Sequence, residues 1–281
     1  MDNLNDELEQ IEAEEEKLNT LHTFQNYEGR DEVITSKKAQ ELLKEKNSKP
    51  TAKFFSKIPK LDAMIDGFRE GDVVVISAPT KSGKTTLAQT LTISLSEAEV
   101  SSLWFSYEMT QQEFLSKFPD PLPFFTLPKS LKGNSTDWLE QRIIESIAKH
   151  GVKVVFIDHL HFLIDMNFIG KNGNVSLFIG SIMRKLKQIA IKWDVAIVLI
   201  AHTKKTSGEF DRDPDLSDIR DSSFISQEAD TVLMIWRKKD KETEEYGNRA
   251  CLAVAANRRN GKVGKIPLVL QNNRFFEEAK Q

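Results

Sequence analysis

The run Ala78-Pro79-Thr80-Lys81-Ser82-Gly83-Lys84-Thr85, continued by Thr86, has the residue types that hold a phosphate chain. An apolar, β-branched run, Val73–Ser77, precedes it, and a helix-forming stretch, Lys84–Ser96, follows. In that setting, backbone amides and the positive end of the helix cradle phosphate. Lys84 is placed to reach the β- and γ-phosphates and Thr85 to ligate magnesium. Gly83 lets the backbone come close to the anion. Pro79, Thr80, Lys81, Ser82 and Thr86 complete the candidate nucleotide loop, with Ala78 where the usual pattern has its first glycine. ATP and Mg2+ are the implied cofactors.

Such a loop needs carboxylate partners. In VKVVFIDHLHFL, Asp158 ends an apolar run and would hold Mg2+ through water. His159 follows it, so the group that orients the attacking water comes from elsewhere. In SLWFSYEM, Glu108 lies just past the run Ser102–Ser106. If that strand lies beside the phosphate-loop strand, Glu108 reaches the same crevice. Its competing reading is an N-cap acid for the helix after Met109. In IVLIAHTKK, His202 ends a third apolar run, where a neutral imidazole can sense the γ-phosphate. The plainer alternative is a satisfied polar residue at a strand end.

Positioning these groups requires alternating strands and helices. Further strands are expected over Val152–Ile157, Ala196–Ala201, Thr231–Trp236, Ala250–Ala255 and Ile266–Leu270. Further helices are expected over Gln111–Lys117, Thr136–Lys149 and Ser176–Trp193. Runs that are apolar on both faces point to an α/β fold with a mostly parallel sheet covered on both sides. The closely spaced later strands point to antiparallel additions at one edge. Two regions follow: an N-terminal segment, 1–50, and a nucleotide domain, 51–281.

The 281 residues carry 39 basic and 42 acidic side chains, net −3, which argues against a basic DNA-coating protein and leaves a local nucleic-acid patch open. There is no run of 18 apolar residues that would span a membrane. The acidic start MDNLNDELEQ is no secretory leader. A single cysteine, Cys251, excludes an intramolecular disulfide and a cysteine-based zinc site. Asp2 to Glu16 holds eight acids and no base, and is expected to be a solvated tail. An amphipathic docking helix through Leu4, Leu8, Ile11, Leu18 and Leu21 is the alternative. Ser36 is expected to cap a short basic helix ending near Asn47.

These elements resemble, in order, the RecA-fold ATPase domain of hexameric DnaB-type replicative helicases. The resemblance runs from about Lys53 to the C-terminus. FSYEM, LSDIRDSSFISQEADTVLMIWR and ANRRNGKVGKIPLVL carry it most specifically. It implies a RecA-like P-loop NTPase core, Glu108 as catalytic base, and Arg259 as an arginine finger acting on the neighbouring subunit's ATP. It also implies that Arg220, with the backbone near Asp221 and Ser223, contacts single-stranded DNA in a ring's channel. Movement would be 5′ to 3′, and a homo-hexamer, a loader or a primase are the implied partners. The location would be cytoplasmic, or host cytoplasm for a phage-encoded chain.

Three residues depart from the family pattern: Asn257 for Lys, Lys262 for Pro, and His202 where bacterial members mostly carry Gln. Only about 50 residues precede the core, which suggests a compact phage, plasmid or mobile-element version. Under the resemblance, the polar segment from His202 to Ile225 gains a DNA role; it carries Lys204, Lys205, Arg212 and Arg220 among acids that include Asp211, Asp213 and Asp215. It reads as a DNA-contacting loop tied to the phosphate sensor or, alternatively, as a solvated surface loop. The rival function is a RecA-fold regulatory or loader ATPase that binds partners without unwinding DNA.

Overall fold

Val73, Val74, Val75 and Ile76 are buried on both faces of a sheet, and they divide between two cores by alternation. The computed structural model describes residues 2–29, 31–46, 51–133, 135–163, 175–203, 213–219, 222–239 and 246–278. The chain divides into two compact units, Met1–Pro50 and Thr51–Gln281.

The first unit holds helices α1 (Asp2–Gln25) and α2 (Ser36–Lys46). The acidic segment expected as a tail is therefore helical. It is rich in good helix formers, and its acids cluster toward the helix N-terminus, where the macrodipole favours them. Leu18, Leu21 and Phe24 are exposed on it. Ser36 is not the cap of α2. Thr35 is, its Oγ1 accepting from the Lys38 amide at 3.2 Å.

In the second unit, β1 (Lys53–Phe54) and β2 (Phe68–Arg69) form a small antiparallel ribbon around α3 (Pro59–Ile65). The chain then runs through β3 (Val73–Ala78), α4 (Lys84–Glu97), β4 (Ser102–Ser106), α5 (Gln111–Leu115) and α6 (Thr136–His150). It continues with β5 (Val154–Asp158), α7 (Val175–Lys192), β6 (Ala196–His202), α8 (Ser222–Glu228) and β7 (Thr231–Lys239). Strands β8 (Tyr246–Asn257), β9 (Gly264–Gln271) and β10 (Arg274–Glu277) close it.

The large sheet has the order β10-β9-β8-β7-β3-β6-β5-β4. Strands β7, β3, β6, β5 and β4 are mutually parallel, while β8, β9 and β10 add antiparallel at one edge. Val74 and Ile76 face a core with Leu61 of α3, Leu87 and Leu91 of α4, and Phe114 of α5. Val73 and Val75 face Ile143 of α6, Leu186 of α7 and Ile225 of α8. Helices thus cover both faces, as the two-sided apolar strands require.

Two expectations need correcting. β4 does not lie beside the phosphate-loop strand: β6 and β5 come between them. The crossover through α4 carries the chain past two positions that later strands fill, and strand periodicity holds no information about such skips. Helix α5 is shorter than expected. It starts with a capping box in which Thr110 and Glu113 satisfy each other's amides. Thr110 therefore takes the N-cap position, and Glu108 is not used there.

Candidate nucleotide site

The strands that carry the sequence-expected cleft residues, β3, β4, β5 and β6, are mutually parallel, so these residues meet at one edge of the sheet, beyond the C-terminal strand ends. β3 leads directly into residues 79–83 and then into α4. Gly83, the N-cap of α4, has φ +99°, and a Cβ there would lie 2.9 Å from the Phe275 ring of β10. Glycine is thus required for backbone conformation and for room, in addition to the close approach to phosphate expected from sequence. β10 braces the helix through the Phe275 amide, which donates to Thr90 Oγ1 at 3.0 Å.

An open cleft of about 580 Å³ lies over this loop. Thr80, Lys81, Gly83, Lys84, Thr85 and Thr86 line one side, and Glu108 and His202 also border it. Ser82 is buried, its amide donating to the Pro79 carbonyl at 3.3 Å. Lys84 Nζ donates to the carbonyls of Ala78 at 3.0 Å and Pro79 at 3.3 Å. Burial lowers its pKa, and the carboxylates of Glu108 and Asp158 partly restore it.

Asp158 is fully buried at the end of β5. Its Oδ2 accepts from the Thr85 hydroxyl at 3.0 Å, and its Oδ1 receives no hydrogen bond from the described residues. Burial, then the neighbouring Glu108 charge, push its pKa above the ordinary carboxylate range. A buried carboxylate oxygen without a donor, next to a loop hydroxyl, suits a hard cation. Thr85 and Asp158 therefore fit Mg2+.

Glu108 reaches the cleft although its strand is at the sheet edge. The Tyr107 amide donates to the Asp158 carbonyl at 2.8 Å, which extends the parallel β4–β5 ladder one residue past Ser106. Glu108 Oε1 then lies 3.6 Å from His202 Nε2. Past His202, the Thr203 hydroxyl donates to the Ala78 carbonyl at 3.5 Å, and Thr203 bridges Ile219 antiparallel.

Arg259 is not brought to this cleft. It sits in the turn after β8, and its Nη2 holds both oxygens of Asp72 at 2.6 and 2.9 Å. Its Nη1 caps the end of α3 through the Ile65 carbonyl at 2.8 Å and the Gly67 carbonyl at 3.3 Å. Asp72 precedes β3, so Arg259 lies at the opposite end of a six-residue strand, about 20 Å from its own phosphate loop. Asn257 is buried, and its amide donates to the Met64 carbonyl at 3.1 Å. Lys204, Lys205, Arg220 and Asp221 lie outside the described residues, as does the side chain of Ser223, whose backbone is in α8.

Arg237 was missed by the sequence reading. It borders the cleft from β7, with its guanidinium 5.4 Å from the centroid of the Tyr246 ring. The Tyr246 hydroxyl donates to the Thr80 carbonyl at 3.2 Å. The available signal was a cation ending the apolar run VLMIW.

A phosphate loop on a mostly parallel sheet, with a buried strand-end aspartate on the loop's threonine, defines the class of P-loop nucleotide-binding domains. Within that class, the chain belongs to the DnaB-like helicase C terminal domain family, which matches residues 54–118 and 129–277. It is 26% identical over 274 residues to a probable replicative DNA helicase of Trieres chinensis, covering 84% of this chain and 60% of that one. It is 24% identical to the replicative DNA helicase DnaB of Haemophilus influenzae over 79% of this chain and 54% of that one. The chain thus spans little more than half the length of these curated relatives. Among solved structures, a DnaB-like replicative helicase studied with its primase interactions aligns with TM-score 0.70 at 22% identity. That alignment covers 89% of this chain and 69% of that one. No helix among the described residues is long and apolar enough to cross a membrane.

Proposed function

We propose that this chain is an ATP-driven, ring-forming motor of the replicative helicase type, translocating on single-stranded DNA. The observation that carries this is the meeting of Lys84, Thr85, Asp158, Glu108 and His202 at the ends of four parallel strands, in a chain of the DnaB-like family. Lys84 exchanges two loop carbonyls for phosphate oxygens. Thr85 and Asp158 hold Mg2+, which when bound offsets charge on the β- and γ-phosphates. Glu108 orients the attacking water, and His202 beside it reads the γ-phosphate. Arg237 and Tyr246 flank the loop where the nucleoside end would lie.

The sensor is joined to the DNA segment by backbone. His202 precedes Thr203, Thr203 bridges Ile219, and Arg220 follows Ile219. Arg220, with the backbone at Asp221 and Ser223 and with Lys204 and Lys205, contacts DNA phosphates in this reading. The distance from Arg259 to its own loop suits a finger that serves a neighbouring subunit in a homo-hexamer. Likeness to the helicase studied with primase makes a primase a candidate partner, and the cytoplasm is the proposed location.

The test is steady-state ATP hydrolysis with and without single-stranded DNA of mixed sequence. We expect strong stimulation that weakens with salt. Hydrolysis indifferent to DNA would favour a regulatory or loader ATPase instead.

A further inference from the structure

We propose that Glu108, His159 and His202 form a second cation site, selective for a borderline transition ion such as Zn2+ or Co2+, whose occupation switches hydrolysis off. The inhibitory half rests on the reading of Glu108 and His202 as base and sensor. The binding half does not.

The sheet register builds this site. β4, β5 and β6 are adjacent and parallel, with Ser106 opposite Asp158 and Asp158 opposite Ile200. Glu108, His159 and His202 follow those positions by two, one and two residues. Three neighbouring strands therefore deliver one donor each to the same edge. Their ligating atoms lie within 4.8 Å of one another. The two imidazoles meet edge to face, with centroids 4.2 Å apart. Behind them, His159 packs on Phe162 at 4.9 Å, and Phe162 stacks on Tyr107 at 5.6 Å. That aromatic wall limits ring movement, and each donor lies at a strand end or within two residues of one.

Donor chemistry sets the ion. Two imidazoles and a carboxylate are the set that binds zinc while leaving a fourth position open. Zinc bonds of about 2.0–2.1 Å put tetrahedral donors about 3.4 Å apart. The donors need close by no more than about 1.4 Å. Mg2+ prefers oxygen ligands and has little use for imidazole, so it keeps to Thr85 and Asp158. An ion on all three donors takes the Glu108 carboxylate away from the water and fixes His202. Hydrolysis then stops, although the phosphate loop and the magnesium position stay intact.

The experiment uses the untagged full chain without nucleotide. Co2+ is titrated while visible absorption is followed, and Zn2+ is then added in competition. We expect one ion per chain with tetrahedral-type bands that Zn2+ abolishes. His159→Asn and His202→Asn should each weaken binding by ~10-fold or more. Retained binding of a fluorescent ATP analogue shows that each variant is folded. In a second arm, Zn2+ is titrated into Mg–ATP turnover, each protein normalised to its own activity. His159→Asn should need ~10-fold more Zn2+ for half-inhibition. No Co2+ binding overturns the site; equal binding in both folded variants overturns it too and assigns the ion to His22, His150, His161 or Cys251. Normal Co2+ binding by a chain without Mg–ATP turnover supports the site and sinks the hydrolase reading instead.

Discussion

Lys84 and Glu108 face the same cleft, and in the proposed function they act at different stages, which makes their substitutions separable. In that reading Lys84 would hold ground-state phosphates, so Lys84→Ala should abolish nucleotide binding, measured with a fluorescent analogue. As the proposed base, Glu108 would act on the water in the transition state, so Glu108→Gln should keep affinity and lose turnover by ~10²–10⁴-fold. Near-normal turnover in Glu108→Gln would reject it as the base. The residue types here were legible because a phosphate loop is contiguous and its chemistry local. Arg237 and Tyr246 were not, because they meet only when β7 and β8 pair.

Among the elements, the turn after β8 does two jobs in this reading, and the variants must separate them. Arg259→Ala removes the Asp72 ion pair and the α3 cap as well as the proposed finger. Asp72→Asn removes the ionic half of the clasp while leaving Arg259 in place. Both should lose about 1–3 kcal/mol in urea denaturation, since the pair is mostly shielded from water. Only Arg259→Ala should also lose hydrolysis, by ~10³-fold. Equal activity losses in the two variants would make Arg259 a structural residue.

A second element contact carries a pH signature. Glu97 at the end of α4 is held by Arg274 of β10 and by Lys57, which keep its pKa down at about 2, against an ordinary 4.5. A depressed carboxyl adds stability above its ordinary pKa and loses it as pH falls toward the folded value. The stability gap between the wild type and Glu97→Gln should therefore be full near neutral pH and close as pH falls from 4.5 to 2. Because Glu97 and Lys57 are exposed, solvent screening limits it to ~1 kcal/mol, and salt should shrink it further.

At the scale of the whole molecule, activity is proposed to depend on neighbours and on DNA. Mixing Arg259→Ala with Glu108→Gln protein should partly restore hydrolysis, because a mixed ring can set an intact Arg259 against an intact Glu108. Mixed rings that form without any recovery would remove support for the trans arrangement. Arg220→Ala should leave DNA-independent hydrolysis intact and weaken single-stranded DNA binding for all sequences alike. Its salt slope should be shallower by roughly 0.7 per lost phosphate contact. Lys204→Ala combined with Lys205→Ala should show a smaller effect of the same kind. Unchanged affinity and slope for Arg220→Ala would move the DNA path elsewhere.

The sequence by itself determined the phosphate loop, the buried strand-end aspartate, the alternation of strands and helices, and the antiparallel edge. Each of these is a local pattern: a run of β-branched residues, a glycine before a lysine, a turn between short strands. The tertiary structure decided what lies next to what. It put β4 at the far edge with two strands between it and the phosphate loop, yet Glu108 still borders the cleft. It moved the α5 cap to Thr110, joined Arg259 to Asp72, and set three neighbouring strand ends so that Glu108, His159 and His202 converge. Periodicity reports which face of an element is buried. Strand order and register are fixed by contacts between residues far apart in the chain, and no local pattern encodes them.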